Sequence, residues 1–270
     1  MNEKIFFVGN CSASSIVVGL KEFQKEEDVY SDLLFAYWAM PAELFLKPFH
    51  FESEGRCVLF NGEKPSTLNA EEQDNFFIYD IAKFSENDPK NEMGKLSRWR
   101  FLPKYATIPL FKDEQNEFVY CFCGSTFPYR FIWQMFLDHI QCKSFITEGI
   151  IESCVSHYMK EQIALFKKLK QRDLRLVSVE GPRYLPVDKT FAKYYPELLN
   201  IMKYAMNCMT HEIKSVGVPV ISMPDEMFDG RGFMDSKYRI RDTDALHTNS
   251  CFGRKRFIQV MEALKNFSWV

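Results

Sequence analysis

Three residues combine types and spacings that could do chemistry together: Cys11, Asp244 and His247. In "IFFVGNCS" an apolar strand runs into Gly9, which permits a tight bend, and then delivers Cys11 to the entrance of a helix. A thiol there feels the helix dipole and nearby amide donors, both of which lower its pKa below the ordinary value of about 8.5. The same amides can bind the oxyanion formed when a carbonyl is attacked. A packed, inert free cysteine is the other reading of this segment. A thiol nucleophile profits from a base, and the chain has five histidines. His139 and His157 stand in apolar helical surroundings, His50 in an aromatic loop and His211 late in a helix, so each reads as a packed or exposed side chain. His247 differs, because "DALH" puts Asp244 three residues before it, in a loop between the last strand and the last helix. In that spacing the carboxylate can accept from one ring nitrogen and fix the tautomer while the other nitrogen faces the nucleophile.

The elements around these residues predict how they meet. Apolar runs of strand length stand at 5–8, 33–37, 57–60 and 76–81, and "SASSIVVGLKEFQK" between the first two has helical spacing through Ile16, Val17, Leu20 and Phe23. The order strand, helix, strand predicts a parallel sheet with crossover helices, and loops at the carboxyl ends of parallel strands converge on one crevice. After a polar, turn-rich stretch at 85–96 come some fifty aromatic-rich residues, with the turn-like "KDEQNE" predicting a hairpin between Phe111 and Phe118. Residues 90–148 are expected as an insertion or cap, its rings packing on the main sheet or covering a substrate. From Glu148 the pattern is regular again: a long amphipathic helix, the strand "LRLVSVEGP", a helix from Pro196 to about Gly217, the short strand "VPVISMP", and a last helix "RKRFIQVMEALKNF". The expected fold is a single α/β domain over 1–270, a three-layer sandwich with a mainly parallel sheet.

Composition narrows the partners. A formal net charge of -2 with 26% charged residues argues against nucleic acid as the main partner, and against a disordered chain. A small molecule or a glycan fits better. Glu3 and Lys4 precede only a short apolar run, unlike a secretory signal, and nowhere do eighteen apolar residues follow one another, so a cytoplasmic protein without a membrane span is expected. The eight cysteines are scattered without a C-x-x-C pair or zinc-ligand spacing, so no metal is expected. Cys121 and Cys123 straddle Phe122 in a predicted strand and therefore share a face.

Taken together, the two ends resemble a family. "IFFVGNCS" is similar to the strand and Gly-Asp-Ser-Leu opening of the SGNH or GDSL hydrolases, and "DALH" to their C-terminal Asp-x-x-His block. The Gly-Asn-Cys opening resembles more closely the WcbI-like capsular polysaccharide biosynthesis proteins, and "LVSVEGP" with "GVPVISMP…DALHTNSCFG" looks like the late strands of the related GSCFA group. The resemblance covers roughly 1–85 and 150–270 and omits the aromatic stretch. It implies that Cys11 stands where the family carries its nucleophilic serine, with His247 as base and Asp244 as its partner. Asn10 replaces the family's aspartate and Ser12 its leucine. The family's oxyanion asparagine has a candidate in Asn87 of "SENDP", although the glycine expected there is absent. Asn249 and Arg183 join Asn10, Ser12, Asn87 and Arg241 as candidates for oxyanion or substrate binding.

What the resemblance implies about function is acyl transfer, with a coenzyme A thioester as co-substrate and a surface glycan or sugar precursor as acceptor. A hydrolase on the same scaffold, an esterase or thioesterase, stands beside it, as does a non-catalytic glycan- or nucleotide-binding protein. Lys237, Arg239, Arg241, Arg254, Lys255 and Arg256 flank the Asp-x-x-His block, with Arg231 and Arg183 elsewhere in the same half. Gathered on the crevice side they could hold phosphates; spread out, they form a solvated face.

Overall fold

The computed structural model describes residues 4–9, 34–39, 49–51, 56–60, 77–80, 105–109, 118–123, 129–141, 143–171, 173–183, 189–240 and 248–267, together with Ala13, Ser15, Ile16 and Gly19. Its strands are β1 (Lys4–Gly9), β2 (Leu34–Ala39), β3 (Phe49–Phe51), β4 (Arg56–Phe60), β5 (Phe77–Asp80), β6 (Tyr105–Pro109), β7 (Phe118–Cys123), β8 (Arg175–Val179) and β9 (Val220–Ile221). Its long helices are α1 (Tyr129–Ile140), α2 (Glu148–Lys170), α3 (Tyr195–Ser215) and α4 (Ser250–Lys265), and Ala13, Ser15, Ile16 and Gly19 are helical too.

The main sheet has six strands in the order β5-β2-β1-β7-β8-β9. Every neighbouring pair is parallel except β2 with β5, which is antiparallel at the edge. Both faces are covered, and β7 shows how the sequence arranges this. Alternate side chains of a strand point to opposite faces. Val119, Cys121 and Cys123 accordingly pack with Ile5 and Phe7 of β1, with Ala13 and Ile16, and with Phe257, Val260, Met261 and Leu264 of α4. Tyr120 and Phe122 point the other way, into a larger cluster with Ile132 and Phe136 of α1, Phe166 and Leu169 of α2, and Met202 and Met209 of α3. A strand covered on both faces reads as a continuous apolar run, as "FVYCFC" does. The result is the expected three-layer α/β sandwich with a mainly parallel sheet.

Of the stretch 90–148, residues 105–109, 118–123, 129–141 and 143–148 are described, and there the expected hairpin is not found. No hairpin joins β6 to β7: β6 pairs with β4 in a separate antiparallel sheet of order β3-β4-β6, whereas β7 is central in the main sheet between β1 and β8. From Phe118 onward the aromatic stretch thus builds the sheet and, through α1, its covering layer. The apolar run at 57–60 also belongs to the smaller sheet, not the parallel one.

Local signals set the other boundaries as expected. Thr147 caps α2 by accepting from the backbone N–H of Ile150, and Lys167, Lys168 and Lys170 occupy its last turn, where cations complement the helix dipole. Pro196 falls in the first turn of α3, where its missing N–H costs nothing. Gly217 follows that helix at φ 76°, a conformation few other residues adopt cheaply. No helix among the described residues is long and apolar enough to cross a membrane.

Candidate functional site

The strand order locates the crevice. From β1 the chain steps outward to β2 on one side, and the later strands β7, β8 and β9 extend on the other, so the direction of winding reverses between β1 and β7. Ligands of open α/β sheets bind outside the carboxyl ends of the strands at such a reversal. Here the register aligns Gly9, Cys123, Val179 and Ile221 in one row across those ends. Gly9 has no alternative: a Cβ at that position would fall on the carbonyl oxygen of Cys123. Asn10, Cys11 and Ser12 follow Gly9 in sequence and lie outside the described residues, as do Asn87, Arg241, Asp244 and His247.

The described residues that flank the two motifs meet. Ser15, four positions after Cys11, donates its hydroxyl to the carbonyl oxygen of Thr248 at 2.9 Å, and the two hydroxyl oxygens are 2.5 Å apart. Thr248 is the residue after His247. Both side chains are buried, so each hydroxyl completes the other's hydrogen bonding where water does not reach. The contact depends on glycines, because a Cβ on Gly253 of α4 would land on the carbonyl oxygen of Ser15, and one on Gly19 would land on the backbone nitrogen of Arg254. Ser15 and Gly19 therefore touch the first turn of α4 backbone to backbone.

Asn249 begins α4 and is fully engaged there. Its side-chain oxygen accepts from the N–H of Phe252, and its amide nitrogen donates to the carbonyls of Lys237 and Arg239 at 2.7 and 3.0 Å. A bridge between Arg239 and Thr248 adds to this clamp. The candidate for oxyanion or substrate binding thus acts as a helix cap tying residues 237–239 to the start of α4.

Among the described residues, several of the basic side chains are engaged separately rather than together. Arg256, on the buried face of α4, is 0% exposed. It donates to the carbonyls of Ser222, Glu180 and Ile221 and to the side-chain oxygen of Gln259, across the ends of β8 and β9. Arg231 pairs with Asp229 and Lys237 with Asp235. Arg183 stacks on the Phe228 ring, 3.8 Å from its centroid, and donates to the carbonyl of Gly232. Half-burial lowers its pKa, against the opposing pull of Glu180 and Asp225. Arg183 follows the carboxyl end of β8 and feels the charge of Glu180, whose carboxylate accepts from the N–H of Met223 at 2.9 Å.

Sequence reasoning missed the special position of Arg256, although a signal exists. Phe252, Arg256 and Val260 recur at four-residue spacing, so a stripe of buried residues on the last helix runs through the arginine. Cys123 was expected only to share a face with Cys121. It proves to be wholly buried at the end of β7, where desolvation pushes its thiol up to about 12 despite the opposing charge of Arg256. Cys123 is therefore a neutral, enclosed part of the core at the end of β7. His139, read as packed or exposed, bonds Glu197 and the carbonyl of Ser144 and so links α1 to α3, remote from the sheet ends.

No family model matches the chain, and no curated protein matches it. Among solved structures an acetyl xylan esterase is similar in fold, with a TM-score of 0.46 and 10% identity, over 97% of this chain and 99% of that one.

Proposed function

We propose that the protein is an acyltransferase in which Cys11 takes an acetyl group from a coenzyme A thioester and His247, oriented by Asp244, passes it to a sugar hydroxyl. The observation that supports this reading is the Ser15–Thr248 contact at the winding reversal, since these residues stand four positions after Cys11 and one after His247. In the first step the Cys11 thiolate attacks the donor carbonyl, a carbon–sulfur bond to the enzyme forms, and the coenzyme A thiolate leaves and takes a proton. In the second step His247 removes the proton of the acceptor hydroxyl as its oxygen attacks the enzyme thioester, which returns Cys11. Amide donors at the turn after β1 would hold the oxyanion of both steps.

Intact-protein mass spectrometry after incubation with acetyl coenzyme A tests the covalent step. One acetyl group on the wild type, mapped to Cys11 and missing from Cys11→Ala, is the expected result. Steady release of free acetate without any added acceptor would show the esterase or thioesterase reading instead. Absence of both adduct and acetate would leave direct transfer activated by His247, or a binding protein on this scaffold.

A further inference from the structure

Arg239 is fixed along its backbone and uncommitted at its side chain. Its carbonyl accepts from the Asn249 amide at 3.0 Å, its N–H donates to the carbonyl of Ser236 at 3.0 Å, and it forms an antiparallel bridge with Thr248. Directly opposed residues of an antiparallel pair carry their side chains on one face, with Cβ atoms about 5 Å apart. The Arg239 side chain therefore starts beside that of Thr248, whose hydroxyl meets Ser15. We infer that Arg239 is a substrate-binding residue, which takes a carboxylate or phosphate oxyanion of the substrate beside the Ser15–Thr248 junction. The inference deepens the acyl-transfer reading proposed above and rests on it for the choice of probes.

Among the described residues the guanidinium of Arg239 has no hydrogen-bond acceptor and no carboxylate at ion-pair distance. Its Nε–H is enclosed without a partner, although the residue as a whole is only partly buried. An enclosed donor without an acceptor is costly, and such groups are rare in folded proteins. An oxyanion seated on the Nε–Nη edge supplies two acceptors at once, in the fork geometry that suits arginine. The start of α4 adds the positive end of a helix dipole, since Thr248 immediately precedes the cap Asn249.

Neighbouring cations are already committed. Lys237 pairs with Asp235, Arg231 with Asp229, and Arg256 binds carbonyls at the ends of β8 and β9. Asp235 feels the charge of Arg239 through space, but Lys237 holds that carboxylate at 2.8 Å. The charge of Arg239 is thus unspent next to the place where Ser15 meets Thr248.

Isothermal titration calorimetry of the full chain, under reducing conditions, tests this with pairs of anionic and neutral probes. Coenzyme A against pantetheine represents the donor, and glucuronate against glucose the acceptor. In the wild type at least one anionic probe should bind more tightly than its neutral counterpart, and the pair that shows the difference tells whether donor or acceptor carries the oxyanion. Arg239→Gln should weaken that probe about ten- to a hundredfold and leave the neutral counterpart unchanged. Arg239→Lys, which keeps the charge and loses the fork, should recover only part of the affinity. Arg231→Gln makes the same change of charge at an arginine paired with Asp229, and should bind like the wild type. If Arg239→Gln does not fold, phenylglyoxal modification of the wild type decides, read by peptide mass spectrometry. The anionic probe should then protect Arg239 and leave the modification rate of Arg231 as it was. Three results would each overturn the inference: a folded Arg239→Gln that binds both anionic probes like the wild type, an Arg239 modified equally fast with and without probe, or a wild type that prefers neither anionic probe. Arg239-dependent binding without any acetyl adduct or transfer would instead sink the acyl-transfer reading and leave the anion site standing.

Discussion

Ser15 and Thr248, 233 positions apart in the sequence, share two hydroxyl contacts in the core, one to the Thr248 carbonyl at 2.9 Å and one between the hydroxyls themselves. Ser15→Ala leaves two buried oxygens short of a partner and should cost about 1–3 kcal/mol, measurable as a lower denaturant midpoint. If the contact also holds Cys11 and His247 in register, turnover should drop on the order of 10- to 100-fold in the folded variant, since small misplacements of reacting groups are costly. Thr248→Ser, which keeps the hydroxyl, should stay near the wild type in both measurements.

Three glycines should respond very differently to the same substitution. Gly253→Ala and Gly19→Ala force a Cβ onto backbone atoms that cannot move aside, so each should destabilise by at least about 1–3 kcal/mol. Gly149→Ala sits on an open face of α2 with nothing near its Cβ, and should instead stabilise by about 0.5–1 kcal/mol. Chemical denaturation of the three variants checks the ranking.

The proposed chemistry assigns unequal losses to its residues. His247→Ala should reduce acyl transfer by about 100- to 10,000-fold, the range of general-base assistance. Asp244→Asn should lose less, and its loss should appear in the turnover number more than in KM, as expected for a residue that acts through the imidazole. Wild-type turnover in Cys11→Ala would remove the covalent step, leaving direct transfer with His247 as sole activator.

Alkaline pH should expose the buried thiol at the end of β7. The folded-state pKa of Cys123 is raised from 9.0 to about 12, so above pH 9 the unfolded chain releases a proton that the folded chain keeps. Stability from this group is therefore complete below pH 9 and is lost as pH rises toward 12, with a slope of up to about 1.4 kcal/mol per pH unit. Cys208 and Tyr204 also have raised values and act in the same direction, so the measurement is the difference between wild type and Cys123→Ala. That variant should show a flatter decline from pH 9 upward in urea melts. Arg256, lowered by burial to about 10, works in the opposite sense from about pH 10 upward, inside the same window, which is a further reason to read the difference between variants.

The sequence made some of this arrangement legible and hid the rest for physical reasons. The strand of β1, the helices α2 to α4 and the strand of β8 each carry a period or an apolar run bounded by turn residues, and all stand where the pattern predicts. β7 was obscured because its neighbours in sequence are equally aromatic, so a central strand looked like part of a cap. Its pairing with β1 and β8 depends on residues more than fifty positions away. By type and position Asn249 read as a candidate for oxyanion or substrate binding, and Arg256 as one of the basic residues flanking the Asp-x-x-His block. Only the packing of α4 shows that one is a cap and the other an enclosed cation. The Ser15–Thr248 contact has no local signature, because two small hydroxyl residues in distant segments carry no period to read.

The face of β1 that holds Ile5 and Phe7 is covered in large part by Phe257, Val260, Met261 and Leu264, all within the last helix. During synthesis the first strand thus waits for about 250 further residues before its apolar side is closed. Until then the sheet has an uncovered flank that a holdase chaperone could occupy, and a nascent chain stalled before α4 could not close it. Closure of the sheet on this side is in this way coupled to the synthesis of α4.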